Sequence, residues 1–160
     1  LFYQRNSGLQ KQAEVVAQSS PTSTARVIVD PNTLSPDGSV ALAQYEPAPD
    51  ARHVAYGLAV GGADWVDVHV RRVRDGVDLA DTLKWVRFSA LSWTRDGRGF
   101  FYSRFPARDA ATRLSDQLEH HKLYYHRLGT PQSEDVLVFE RPQQPRWFVY
   151  GATSDDGRFL

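Results

Sequence analysis

The residues of this 160-residue chain that could do chemistry are histidines, paired carboxylates and serines, and each class can be tested by its spacing. His120-His121 with His126 has the residue types of a metal site. Along an extended strand, residues five or six apart lie roughly 17–20 Å apart, too far to share an ion without a bend. A solvated histidine pair is the expectation. Glu134-Asp135 and Asp155-Asp156 are the carboxylate pairs. Asp155-Asp156 sits in a turn phrase that recurs along the chain, where Asp accepts backbone N–H groups, so a structural role is expected there and at Asp50 and Asp96. Ser7, Ser20, Ser89, Ser92 and Ser154 all lack the Gly-x-Ser-x-Gly bracket of a nucleophile elbow. Without cysteine there is no thiol nucleophile, disulfide framework or Cys-based zinc site. No P-loop, dinucleotide glycine motif or His-Glu-x-x-His occurs. The residues therefore nominate no catalytic group, no metal ligand and no cofactor. Trp65, Trp85, Trp93 and Trp147 are expected to pack between sheets rather than to stack ligands. Phe88, between Arg87 and Ser89, reads from its type alone as a core residue.

The elements that would position these residues are short strands between recurring turns. Pro49-Asp50-Ala51-Arg52-His53, Arg95-Asp96-Gly97-Arg98-Gly99 and Asp155-Asp156-Gly157-Arg158-Phe159 are three versions of one Asp-Gly-Arg turn, with Ala51 in place of Gly in the first. Each feeds an apolar or aromatic strand. Asp50 and Asp96 are 46 residues apart, and Asp96 and Asp156 are 60 apart. A period near 45 residues with many strands between repeats is the mark of a β-propeller.

Strands are expected at 1–4, 13–18, 25–29, 40–45, 53–60, 65–73, 89–93, 99–104, 122–127, 135–140 and 148–151, with a short helical turn at Leu79 to Lys84. Val66, Val68 and Val70 alternate with Asp67, His69 and Arg71, the period of two that half-buries a strand. Convincing helical periodicity is almost absent, so the expected fold class is all-β. Pro106 to Leu118, with Arg108, Asp109, Arg113, Asp116 and Gln117, reads as a polar insertion on a blade rim.

Composition narrows the function classes. Nineteen basic residues balance nineteen acidic ones, which gives no surplus to attract nucleic acid. Apolar runs are far short of a membrane span, and Arg5, Gln10 and Lys11 interrupt any leader-like start. Among compartments, the cytoplasm is favoured over the periplasm. The chain contains no methionine, and Leu1-Phe2-Tyr3 and Phe159-Leu160 both read as strand interior, so a fragment is expected.

In order along the chain stand Ser7-Gly8-Leu9-Gln10, Asp30-Pro31-Asn32, Ala55-Tyr56-Gly57-Leu58, Asp64-Trp65-Val66 and Val86-Arg87-Phe88-Ser89 leading to Trp93. Lys122-Leu123-Tyr124-Tyr125-His126, Gln132-Ser133-Glu134-Asp135 and Ser154-Asp155-Asp156-Gly157-Arg158 follow. Together these phrases resemble the propeller of the prolyl oligopeptidases, serine peptidases that cleave short peptides after proline. The resemblance covers essentially the whole chain. Ala43-Gln44 and Gly61-Gly62-Ala63 depart from the commoner wording.

It implies a partial seven-bladed β-propeller of about three four-stranded antiparallel blades, occupying residues 1–160. The catalytic α/β-hydrolase domain, with its Ser-Asp-His triad, would lie outside the chain. It further implies that Phe88 lines a substrate subsite, that the propeller filters substrates by size, and that the partners are proline-containing oligopeptides and the hydrolase domain. No nucleic-acid or membrane partner is implied. The rival readings are a non-enzymatic binding or scaffold propeller, and a stand-alone β-sandwich.

Overall fold

Asp side chains that capture the N–H two residues ahead build the recurring turns, and those turns set the architecture. Asp50, Asp96 and Asp156 accept from the amides of Arg52, Arg98 and Arg158 at 2.9, 3.1 and 3.1 Å. Behind each Asp the following residue takes positive φ: Ala51 at 57°, Gly97 at 65° and Gly157 at 69°. Asp37-Gly38 adds a fourth copy, with the Ser39 amide on Asp37 at 3.0 Å. The turns sit side by side. A Cβ on Gly97 would meet the Asp50 carboxylate, and one on Gly157 would meet the Arg95 side chain.

The computed structural model describes residues 1–107 and 118–160. Of the insertion expected at Pro106 to Leu118, residues 108–117, with Arg108, Asp109, Arg113, Asp116 and Gln117, lie outside the described residues. Among the described residues, ten strands form two antiparallel sheets. The first holds β1 (Phe2–Arg5), β2 (Glu14–Ala17) and β3 (Arg26–Val29). The second is a meander of β4 (Val40–Pro47), β5 (His53–Val60), β6 (Val66–Arg72), β7 (Asp78–Trp93), β8 (Gly99–Arg104), β9 (Lys122–Arg127) and β10 (Val136–Phe139). Among the described residues, two 3-10 turns, Pro31–Thr33 and Gln132–Glu134, complete the regular structure, and no α-helix occurs.

β7 serves two blades. Its first half, from Asp78 to Val86, pairs with β6, whereas Val86 to Trp93 pairs with β8. The seven-stranded sheet is thus two four-stranded blades joined through one long strand. The first sheet contributes a third, three-stranded blade, in keeping with an all-β partial propeller.

The core lies between blades. Val54 and Tyr56 on one face of β5 pack with Val15, Ile28 and Val29 of the first sheet. Ala55 on the other face joins Val66, Val68, Val70, Leu83, Val86, Leu91, Trp93, Phe100 and Tyr102. Alternation along a single strand therefore divides its side chains between two inter-blade interfaces. The polar set on β6 is likewise turned toward a neighbouring blade. Arg71 donates to both oxygens of Asp78 at 2.7 Å and to the Ile28 carbonyl at 2.8 Å, crossing to the first sheet.

Three expectations need correction. Leu79 to Lys84 is strand, not helix: Asp81 and Leu83 point inward and Ala80, Thr82 and Lys84 outward. An aspartate in the inward register disguised the period of two. Residues 148–151 form no ladder, and the Val149 amide and carbonyl bond instead to His121 and Ser103 side chains. Of the tryptophans, Trp93 packs between blades as expected, its Nε1 donating to the Glu46 carbonyl at 2.9 Å. Trp147 is 59% exposed.

Candidate functional site: an aromatic recess at the bulge in β7

Where β7 passes from one blade to the next, its register against β8 shifts between Val86 and Leu91. Two bulky residues adopt the left-handed region there, Trp85 at φ 64° and Phe88 at φ 51°. Such a conformation costs an L-residue about 1–2 kcal/mol and persists only where its surroundings enforce it. The enforcement is visible. Phe105 donates its amide to the Trp85 carbonyl at 3.1 Å, and Ser89 Oγ accepts the Ser103 amide at 2.7 Å, replacing ladder bonds lost at the bulge.

The bulge turns Phe88 outward. Its side chain is not core, as its type suggested, but 42% exposed. Its ring stacks on Phe148, with centroids 5.2 Å apart and planes at 30°. The Arg87 guanidinium lies 4.8 Å from the Phe88 centroid and donates to Asp64 Oδ2 at 2.5 Å. Phe148, Trp147 and Tyr150 are also exposed, making an apolar, aromatic surface beside one oriented cation. Such a surface can take an apolar or aromatic side chain by stacking.

Two of the three clustered histidines behave differently from the solvated pair expected. His120 is exposed, whereas His121 and His126 are 2% and 0% exposed. His121 lies under the recess. Its Nδ1 accepts the Val149 amide at 3.1 Å, and its Nε2 bonds the Arg87 carbonyl at 3.1 Å. Burial pushes it down to about 4, with the Arg87 carbonyl opposing. It is neutral at ordinary pH.

His126 is a buried cation between carboxylates. Nδ1 meets Asp135 at 2.7 Å and Nε2 meets Asp81 at 2.9 Å, with both carboxylates wholly enclosed. Burial alone would lower its pKa, but the hydrogen bonds and charges of Asp135 and Asp81 outweigh it and push it up to about 9. Tyr102 Oη donates to Asp135 at 2.5 Å and the Gly129 amide to Asp81 at 2.7 Å. Both ring nitrogens are committed to carboxylates, so this cluster acts as a clamp between β7 and β9. Among the described residues no group of three or more His, Asp or Glu side chains is placed to hold a metal ion. Asp155 and Asp156 stay in their turn, where Asp156 also accepts from Ser154 Oγ at 2.7 Å.

Comparison with known proteins gives a consistent answer. Residues 1–160 match the family model described as prolyl oligopeptidase, N-terminal beta-propeller domain. The dual function macrocyclase-peptidase POPB of Galerina marginata is 36% identical over 182 residues, covering 99% of this chain and 24% of the relative. The prolyl endopeptidase of Elizabethkingia meningoseptica is 34% identical over 159 residues, covering 99% and 22%.

Among solved structures, one comes from a structural and mechanistic analysis of two prolyl endopeptidases that addresses inter-domain dynamics in catalysis and specificity. It superposes with a TM-score of 0.85 at 38% identity, over 98% of this chain and 22% of that one. Prolyl oligopeptidase B of Galerina marginata, bound to a 35mer hydrolysis and macrocyclization substrate, gives a TM-score of 0.84 at 32% identity, over 98% and 24%. The chain spans about a quarter of the length of these relatives. With a family match over its whole length and the corresponding fold, the chain belongs to the prolyl oligopeptidase family and matches its N-terminal β-propeller domain.

Proposed function

We propose that these residues are part of the propeller of a peptidase that cleaves short peptides after proline, with Phe88 contacting the peptide. A catalytic α/β-hydrolase domain outside residues 1–160 supplies the nucleophile, base and oxyanion hole that acyl transfer requires. The propeller covers that cleft, admits short unstructured peptides and excludes folded proteins, the part a lid plays in catalysis.

The observation that carries the Phe88 assignment is its outward ring on strained backbone, stacked against Phe148 instead of buried. Backbone strain of this kind clusters at functional sites. In the full-length enzyme, Phe88→Ala is expected to raise KM for a proline-containing oligopeptide roughly ten-fold, the loss of one stacked ring, while kcat changes little. An unaltered KM would remove Phe88 from the substrate path.

A further inference from the structure

His121 joins the two segments that carry the recess. Phe88 lies on β7 and Phe148 sixty residues later, on a stretch with no strand pairing to β7. Their rings nevertheless stack with a defined separation and tilt. His121, just before β9, reaches the immediate neighbours of both: the Arg87 carbonyl, next to Phe88, and the Val149 amide, next to Phe148. Its ring also lies edge-on to Phe148, at 5.5 Å and 73°, and packs against Phe105 at 4.6 Å.

The hydrogen bonds fix its protonation. An amide N–H donates to Nδ1, so Nδ1 is bare, and Nε2 must carry the proton it donates to the Arg87 carbonyl. An imidazolium would direct N–H at N–H. Only the neutral Nε2–H tautomer makes both bonds. Among the described residues no carboxylate contacts the ring, unlike the His126 ring five residues later.

We infer that His121 is a positioning residue for peptide binding: by bridging the Arg87 carbonyl and the Val149 amide it sets the spacing and tilt of the Phe88–Phe148 pair that receives an apolar side chain of the substrate. The inference rests on the reading of Phe88 as a substrate contact. Its role is geometric. Without the bridge the rings keep their chemistry but lose a fixed relative placement, which weakens binding of peptides long enough to reach them.

The test uses the full-length enzyme and two substrates, a chromogenic Gly-Pro amide as the short reference and a longer peptide with leucine or phenylalanine upstream of proline. His121→Leu is expected to raise the long-to-short ratio of KM about five-fold, with the effect on KM rather than kcat. His121→Gln, whose amide can accept from Val149 and donate to Arg87, is expected to return the ratio toward wild type. An unaltered ratio in His121→Leu, or a glutamine variant no better than leucine, overturns the inference.

Phe88→Ala run alongside separates the two readings. If it leaves the ratio unaltered, the subsite assignment falls. If it raises the ratio while His121→Leu does not, only the positioning role falls. Should His121→Leu not fold, histidine 15N spectra of the wild-type enzyme decide: the His121 signals should show a neutral Nε2–H tautomer down to about pH 5. Titration near 6.5 would contradict the bridge.

Discussion

Two histidines five residues apart differ in charge, one neutral and one cationic, because their neighbours differ. His121 is enclosed by Phe105, Phe148 and backbone groups, so burial keeps it neutral. His126 is as deeply buried, but Asp81 from β7 and Asp135 from the turn before β10 hold it protonated, and Tyr102 from β8 bonds the far oxygen of Asp135. The Phe100 ring closes the remaining side at 5.5 Å. The folded pKa of His126, about 9, lies above its ordinary 6.5. Stability from this clamp is therefore fully present below about pH 6.5 and is lost as the pH rises through about 9. The expected loss is on the order of 3 kcal/mol across that window, read as a fall in denaturation midpoint that His126→Gln abolishes. His126→Ala, which strands two buried carboxylates, should cost about 3–5 kcal/mol at neutral pH. A midpoint equally pH-dependent in wild type and His126→Gln would refute the clamp.

At the scale of elements, the turn phrases were the legible part of the sequence, because an Asp that bonds the amide two residues on needs nothing from the rest of the chain. Asp50, Asp96 and Asp156 all do so. Ala51 keeps the geometry of its glycine counterparts at a left-handed φ of 57°. Ala51→Gly is accordingly expected to stabilise the protein by up to about 1 kcal/mol, offset in part by unfolded-state entropy and measured as a rise in denaturation midpoint. A fall would show that the turn is held by contacts the methyl group makes.

The strands were legible wherever apolar residues alternate, as on β6. Reading failed where a polar residue faces inward with a distant partner. Asp81 hid the strand character of 79–84, and its partner His126 lies 45 residues away. His121 looked solvated for the same reason, since its partners are on Arg87 and Val149. The family resemblance singled out Phe88, but nothing local indicated that Phe148 would stack on it. That pairing exists only once β7 bulges.

At the scale of the whole molecule, blades stabilise each other through their faces, and the described residues leave faces open. All four residues of β10 are exposed, as are Phe159 and Leu160. Apolar strand faces and open edges of this kind drive association. Residues 1–160 purified alone are expected to self-associate at micromolar concentration, visible by light scattering, and to show no peptidase activity. A monomeric, cooperatively folding sample would mean that these faces need no neighbouring blades.

The central claim, that this propeller serves a proline-specific peptidase as a filter, is tested most directly by the full-length enzyme's choice of substrate. It should be offered a short unstructured peptide containing one proline and a folded protein with an exposed proline loop. The account predicts cleavage after proline in the peptide and none in the folded protein. Failure to cut the peptide, or equal attack on both, would contradict it.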